Sequence, residues 1–573
     1  MKEKIIKVLK SRLLFAAALN FAIMVICILL TSFSYESSRD YYNSILICRE
    51  HFYYSSSVNY ILAVIVGTIQ YALPDINCFV LMEVVLSFFA FTSISFVFAD
   101  KYNYRKAFVF TMVINIIFAL NHYSSIDSNK TAALLLTAGF LLVLNAIRNK
   151  SYKAPFWIGV LEIAFGSFYD FIYFFVALGF AVAFFFGDMI AKKKYRLDFQ
   201  KLFWYFRPFL LSFIFVALVA AGLHQFSYSI NHATDEARQY YSYSLLNDSI
   251  DTLPYPDYEK YKEEFALVGI DDESEYELLK NGYYDPDRDL NITALQKVSD
   301  IQRGENSKTI LYALADTFTS LWENIISLDT ILVCMVVFLA VSAVFILYHK
   351  NRFSFFPLFY TVIGLIAGVI LRYLISGAGY MIYGIWLLMV TLLIFSFNFE
   401  VVRKEETAFN KMRQKNGYFI VSCVLLVALF AGYGTLFIFN RSNSDETPIP
   451  QHLIAEISRN PDCYYVMDPS TENAFIKGTE NYRHPLWGFR DGYLENLDYF
   501  RYFHNNELLR KRNLSENIYE AVLSNRKIFV IDKYIIYKKE RYFTLNYADS
   551  GQSIFYDQLK TVDDYKVYQV TKI

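Results

Sequence analysis

Apolar residues in this chain gather into long unbroken runs rather than the short alternating patches of a soluble core. Leu13 to Leu30 contains no ionisable side chain except the thiol of Cys27. Its length falls in the range that crosses the hydrocarbon core of a bilayer, roughly 17–25 residues. Comparable runs recur, and they predict transmembrane helices near 13–32, 79–98, 107–121, 130–147, 155–169, 170–189, 206–226, 328–348, 354–376, 380–398 and 417–439. The first run is long for the apolar segment of a signal peptide, and Thr31 to Ser34 offers no A-x-A-like cleavage site, so it is expected to be a retained span. Val58 to Leu73 is shorter and ends at Leu73–Pro74–Asp75. It is expected to be interfacial or re-entrant, an ordinary twelfth span being the other reading. The pattern thus predicts an α-helical polytopic membrane protein of about 11–12 transmembrane helices.

Basic residues beside spans stay on the cytoplasmic side, so they set the direction of the series. The first twelve residues carry Lys2, Lys4, Lys7, Lys10 and Arg12 against Glu3 alone. Basic loops recur at Lys101–Arg105–Lys106, Arg148–Lys150–Lys153, Lys192–Lys193–Lys194–Arg196, His349–Lys350–Arg352 and from Arg403 to Lys415. Placing all of these inside puts the amino terminus in the cytoplasm and the carboxyl-terminal region outside. The expected organisation is then a transmembrane module over 1–226, with a first outer loop at 33–78. An extracytoplasmic loop over 227–327 and a second transmembrane module over 328–440 follow, then an extracytoplasmic domain over 441–573. The 227–327 loop is acidic, with Asp271–Asp272–Glu273–Ser274–Glu275–Tyr276–Glu277 and Asp285–Pro286–Asp287–Arg288–Asp289.

The last domain reads as small α/β. Leu453 to Ser458 suits a helix with Pro461 as its stop, and Cys463–Met467 and Lys527–Ile531 suit buried strands. Asn513 to Leu523 between them reads as a helix with Ser515 as a candidate cap, and Tyr565 to Val570 alternates like a final strand.

Composition agrees with this picture and closes off others. Of the 573 residues, 55% are hydrophobic and 19% charged, against about 25% charged in a soluble globular chain. The net charge of −1 argues against a nucleic-acid partner, which a basic face would mark. Six cysteines without a C-x-x-C pair exclude a zinc ribbon and a disulfide scaffold.

Ionisable groups inside spans are costly, so each is a functional candidate. Glu83 lies about a turn into its span from the outer side, Glu162 in mid-span, Asp170 at an outer turn, and Arg372 and His224 near outer span ends. His122, Asp127 and Lys130 share a short outer loop. The bland reading is a set of interfacial residues that snorkel; the functional reading is a site at the outer leaflet.

The first outer loop opens with Ser34–Tyr35–Glu36–Ser37–Ser38–Arg39–Asp40. On a helix Glu36 and Asp40 share a face, and Arg39 can pair with Glu36. A carboxylate there can deprotonate a hydroxyl acceptor or position a metal for a phosphate leaving group, and an amphipathic interfacial helix is the plain alternative. Histidines form no H-x-x-x-H or H-E-x-x-H, and Walker A, G-x-G-x-x-G and G-x-S-x-G motifs are missing. Tyrosine pairs in the outer segments, among them Tyr41–Tyr42 and Tyr283–Tyr284, suit either sugar stacking or packing.

The layout resembles the GT-C class of integral-membrane glycosyltransferases in its many spans, its acidic residue just after the first span and its short segment in the first loop. The matching positions are Glu36 and Asp40, Val58–Leu73, and the region from Arg441 onward. The chain also looks like polytopic proteins encoded with bacterial surface-polysaccharide genes, through His122–Tyr123, Thr131–Ala132–Ala133 with Gly139, and the Tyr-rich Tyr240–Tyr258. It departs from the GT-C pattern in having no adjacent Asp-Asp or Asp-Glu pair in the first loop, which leaves Glu36 and Asp40 both open as the catalytic residue.

The resemblance implies transfer of a sugar from a polyprenyl-phosphate donor to a glycan or lipid acceptor at the outer leaflet of a bacterial plasma membrane. Glu36 or Asp40 would act as base. Arg372, with Arg39, would hold the donor phosphate, and His122, Asp127, Asp170 and Glu83 would support the site. A divalent cation at the phosphate is compatible with this chemistry. The competing readings are a polysaccharide polymerase or ligase, a transporter or flippase of lipid-linked glycan, for which Glu162 speaks, and a non-enzymatic scaffold.

Overall fold

The computed structural model describes residues 11–30, 34–35, 38–191, 199–250, 253–285, 288–305, 314–315, 317–319, 330–348, 352–374, 379–397, 450–482, 485–487, 496–499, 517–532, 536–549 and 551–573. In chain order the apolar helix α1 (Arg12–Leu30) is followed by α2 (Ser38–Ser44) and α3 (Tyr60–Ala72). Then come α4 (Cys78–Lys101), α5 (Tyr104–Ile114), α6 (Leu120–Ser124), α7 (Ser128–Arg148), α8 (Ala154–Tyr169), α9 (Phe171–Ala191) and α10 (Phe199–Asn231). The polar helices α11 (Asp235–Ile250), α12 (Glu273–Lys280) and α13 (Ile292–Glu305) lead to the apolar α14 (Thr330–Tyr348), α15 (Phe356–Leu374) and α16 (Gly379–Ser396). The last stretch carries α17 (Gln451–Arg459), β1 (Tyr464–Met467), α18 (Pro469–Tyr482), β2 (Leu497–Tyr499), α19 (Ile518–Ser524), β3 (Ile528–Asp532), α20 (Ile536–Tyr547), β4 (Ile554–Val562) and β5 (Tyr565–Lys572).

Apolar helices stand at ten of the eleven expected spans, and 417–439 lies outside the described residues. Among the described residues, seven helices are long and apolar enough to cross a membrane. The 13-residue α3 is about 20 Å long at 1.5 Å per residue, against roughly 30 Å of hydrocarbon.

The chain divides into two compact units. The first comprises Met1–Phe33, Met82–Ser227 and Lys308–Ser444 and holds the long apolar helices. Its centre is α7, which packs against α8, α9 and α16 and has all but Arg148 buried. Close approach rests on small residues: a Cβ on Gly139 would meet the Gly159 carbonyl oxygen at 2.6 Å, and one on Gly159 would meet the Gly139 oxygen at 2.8 Å. Small residues at the crossing are what let the two backbones approach this closely. One end of the bundle is tied by polar side chains. Asp100 accepts from Asn145 and Asn149, each at 3.0 Å, and pairs with Arg12. The carbonyls that end α16 take hydrogen bonds from Lys101 and from Tyr102, the latter at 2.7 Å.

The second unit comprises Ser34–Leu81, Tyr228–Ser307 and Asp445–Ile573. These correspond to the three pieces that the charge pattern assigns to one side of the spans. Its five-stranded sheet has the order β2–β1–β3–β5–β4. β2, β1 and β3 are parallel, and β5 and β4 join antiparallel. The strands at Tyr464, Ile528 and Tyr565 follow the expected pattern. β4 and β2 escape it: β4 alternates only in its first residues, and β2 is three residues long. α19 starts at Ile518 with Asn517 as its cap, accepting from the Tyr519 and Glu520 amides at 2.8 and 3.3 Å. The expected cap, Ser515, lies outside the described residues.

The acid-rich middle segment belongs to this unit's own packing. Asp272 caps α12 and pairs with Arg541 at 2.5 Å, and Glu277 lies 3.7 Å from Lys538. Asp285 accepts from Tyr542 at 2.9 Å and from Tyr547, and Tyr519 donates to the Tyr284 carbonyl at 3.1 Å. Tyr41, Tyr42, Tyr240, Tyr243, Tyr283 and Tyr284 are buried. Their rings are core, which takes these tyrosines away from sugar stacking and explains their abundance as packing.

Candidate functional site

In the first unit, the expected residues His122, Asp127 and Lys130 meet at the turn from α6 into α7. A π-helical turn, Asn115–Ala119, precedes α6, and such turns, rare in general, are frequent beside functional sites. It leads into buried His122, whose Nδ1 lies 2.8 Å from the Tyr383 hydroxyl of α16 and 3.3 Å from the Phe118 carbonyl. The Tyr383 hydroxyl donates to that same carbonyl at 3.3 Å, so Nδ1 carries the ring proton and donates toward these two oxygens. Lys130 is 4% exposed, bonds the Asn121 side-chain oxygen and holds its ammonium 5.6 Å from the Tyr383 ring centre. An ammonium, an imidazole, a phenol and an amide in one buried cluster suit an anionic head group.

Two of the expected acids have local structural roles. Asp127 is the N-cap of α7, accepting from the Asn129 and Lys130 amides at 2.7 and 3.1 Å. Asp170 does the same for α9, from Ile172 and Tyr173 at 2.8 and 2.9 Å. Each oxygen neutralises helix amides that have no intrahelical partner. Glu83 is buried in the second turn of α4, and Arg372 lies half-buried in the last turn of α15. Glu162 is buried halfway along α8 and accepts from Ser93 at 2.5 Å.

In the second unit, Arg39 and Asp40 occupy the first turn of α2, while Glu36 lies outside the described residues. Asp40 is fully buried. α2 runs straight into a second π-helical turn, Ile45–Arg49, so both expected clusters, at Asp40 and at His122, neighbour this uncommon backbone. Around it Tyr35, Ser44, Tyr41 and Asn77 form a chain of hydrogen bonds: Asn77 donates to the Tyr35 hydroxyl at 2.7 Å, Tyr35 to Ser44 at 3.2 Å, and Ser44 to the Tyr41 carbonyl at 2.7 Å. Arg49 donates to the Leu497 carbonyl at 3.0 Å, and the Asn77 amide to that of Leu486 at 2.9 Å, which ties this loop to the sheet domain.

Sequence reasoning missed Tyr383, Arg49 and a third cluster, Asp468, Asp532 and Lys539, all fully buried. Tyr383 and Arg49 carried no local signal. The two aspartates carried one, an acid at the carboxyl end of each of two apolar parallel strands. Among the described residues, no group of three or more His, Cys, Asp or Glu side chains is placed to hold a metal ion. No known protein family matches the chain, and no curated protein matches its sequence.

Proposed function

We propose that this protein is a GT-C-like membrane glycosyltransferase of the bacterial plasma membrane, moving a sugar from a polyprenyl-phosphate donor to a glycan or lipid acceptor at the outer leaflet. The observation that carries the reading is Asp40. It is fully buried on a short helix that follows the first span-length helix, in the same compact unit as the α/β domain. A desolvated carboxylate is an effective general base. It would take the proton of the acceptor hydroxyl as that oxygen attacks the anomeric carbon. The bond to the donor phosphate breaks in the same displacement, with inversion. Arg39, beside Asp40 on α2, is the proposed partner of the leaving phosphate, and in the other unit Arg372, with His122 and Glu83, is proposed to hold the lipid. The joining of all three expected outer pieces in one unit supports their lying on one side of the membrane, and the basic loops carry the expectation that the amino terminus is inside.

The test is mass spectrometry of co-purifying lipids together with transfer assays. Wild type is expected to retain a polyprenyl phosphate or its sugar conjugate. Asp40→Asn should retain the lipid but lose transfer by roughly 10²–10⁴-fold, and Arg372→Ala should lose the lipid. Retention of bulk phospholipid alone would sink the donor site. Glu162 favours a second reading, transport of the lipid-linked glycan, since an acid in mid-helix is the usual mark of a translocation path. Under that reading Glu162→Gln stops export while transfer continues, and under ours it leaves both unchanged.

A further inference from the structure

α3 leaves an apolar side uncovered just before the chain enters α4. Tyr60 to Ala72 contains no charged residue. Leu62, Ala63, Val66, Gly67 and Gln70 are buried, and Gly67 lies against the Tyr53 ring. Ile61, Val64, Ile65, Thr68 and Tyr71 recur at helical spacing on the other side and are partly or fully exposed. The Thr68 hydroxyl donates to the Val64 carbonyl at 2.7 Å, so it needs no water. Leu73 and Pro74, both exposed, prolong that side beyond the helix. A helix that is apolar all round belongs in apolar surroundings, and here the protein covers one side only.

The elbow from α3 into α4 is fixed by Gln70. Its side-chain nitrogen donates to the Leu73 and Pro74 carbonyls at 3.0 and 3.2 Å, and its oxygen accepts from the Cys78 amide at 3.0 Å. One buried amide thus satisfies backbone groups that two helix ends would leave open. It also holds Leu73 and Pro74 close to the first residue of the 24-residue apolar α4. The α/β domain reaches the same point: the Asn77 amide donates to the Leu486 carbonyl at 2.9 Å. The next residue, Trp487, is 44% exposed, and Tyr71 is 68% exposed. Tyrosine and tryptophan, each an apolar ring with one polar atom, are the side chains enriched at membrane–water interfaces. Tyr71 to Cys78 holds Asp75 and no basic residue, so burial of apolar surface, rather than attraction to anionic lipid, is the available force.

We propose that the α/β domain is moored to the outer head-group layer of the bilayer through one patch, made by Tyr71 and Leu73 of the elbow and Trp487 of the domain. The proposal rests on the reading of α4 as a span, because the membrane surface then passes through its first residue. Arg49 donates to the Leu497 carbonyl at 3.0 Å, so the same mooring sets the height of the Asp40 helix above the lipid.

The test is quenching of tryptophan emission from the full chain in phosphatidylcholine nanodiscs. The quenchers are nitroxides on the lipid head group, nitroxides deep in the acyl chain, and aqueous iodide. Subtracting the spectrum of Trp487→Phe from wild type isolates the Trp487 emission, and Trp487→Tyr serves if the first variant does not fold. That emission is expected to be lost most to the head-group nitroxide, less to the acyl-chain one and least to iodide. Leu73→Asp, which puts a charge on the patch, should shift it to the red and open it to iodide. Trp157 and Trp204, exposed on α8 and α10, are isolated in the same way and report on the spans. Lipid quenching of those two, with Trp487 quenched by iodide alone, would overturn the mooring and leave the spans standing. Absence of lipid quenching at all three would overturn both. A Trp487 emission shielded from lipid and iodide alike would mean protein on the patch, a second copy or another chain, and would overturn the mooring. An unchanged Trp487 signal in Leu73→Asp would do the same.

Discussion

Asp127 and Asp170 show how a single carboxylate divides its roles. Both look like site residues in the sequence because they fall at the ends of apolar runs, and both spend a side-chain oxygen on two backbone amides. Replacing either by Ala is expected to cost about 1 kcal/mol of stability, while Asn or Ser retains most of it. A thermal-shift comparison of the detergent-solubilised variants checks this, and an Asn variant that is stable but inactive would assign that residue to the site instead. At the β4–β5 turn, Asp563 and Asp564 both have positive φ, 49° and 66°. Asp563 also reaches across to accept the His452 and Leu453 amides at the start of α17. Asp564→Gly, which removes only strain, is expected to raise stability by up to about 1 kcal/mol. Asp563→Gly should lower it through loss of the cap. Reversal of these two signs in denaturation would show that the turn is not left-handed.

Among elements, the α7–α8 pair is the most demanding. Gly139 and Gly159 face each other's backbone, and Gly166 lies against Leu136 and Ala132. The Ala132–Gly139 spacing, legible in the sequence only as part of a resemblance, has its physical reason here: a seven-residue stripe on which α8 lies. A side chain at Gly139 has nowhere to go, so Gly139→Val should cost roughly 1–3 kcal/mol or more through overpacking. Gly179 of α9 and Gly222 of α10 have open space around the Cβ position. Ala at those two sites is expected to be neutral or stabilising by up to about 1 kcal/mol. Melting temperatures of the three variants in one detergent decide the matter, and a Gly139→Val protein as stable as wild type would refute the crossing.

At the scale of the molecule, the second unit is joined by hydrogen bonds that depend on tyrosine protonation. Burial first, and then the Asp285 charge, hold the Tyr542 and Tyr547 hydroxyls well above the usual phenol range. The sign follows directly: groups raised on folding stabilise fully below the unfolded value of about 10 and cease to do so as pH rises beyond it. Tyrosinate absorbance should therefore lag behind that of a model peptide above pH 10 and then appear together with unfolding of this unit. Asp285→Asn should bring it earlier by weakening both bonds. A smooth titration with no change in circular dichroism would count against this packing.

The positions of the apolar helices were legible from local composition, because a run of twenty apolar residues has one favourable conformation whatever surrounds it. α17, β1, β3 and β5 were legible for a similar reason, their own periodicity. The candidate site was legible only in part: Asp40, His122 and Lys130 were visible as polar residues beside apolar runs. Their surroundings were not, since Tyr383 comes 261 residues after His122 and the π-helical turns leave no mark in composition. Likewise the acidic segment announced its charge but not its partners, and the tyrosines announced their number but not their burial. The sequence by itself determined which segments are apolar helices and which are polar. Only the tertiary structure decided which three polar segments share one unit, which aspartates cap helices and which are buried in clusters. The reason is that hydrophobic patterning acts within a segment, whereas the cost of burying a charge is settled by the groups that distant segments bring to it.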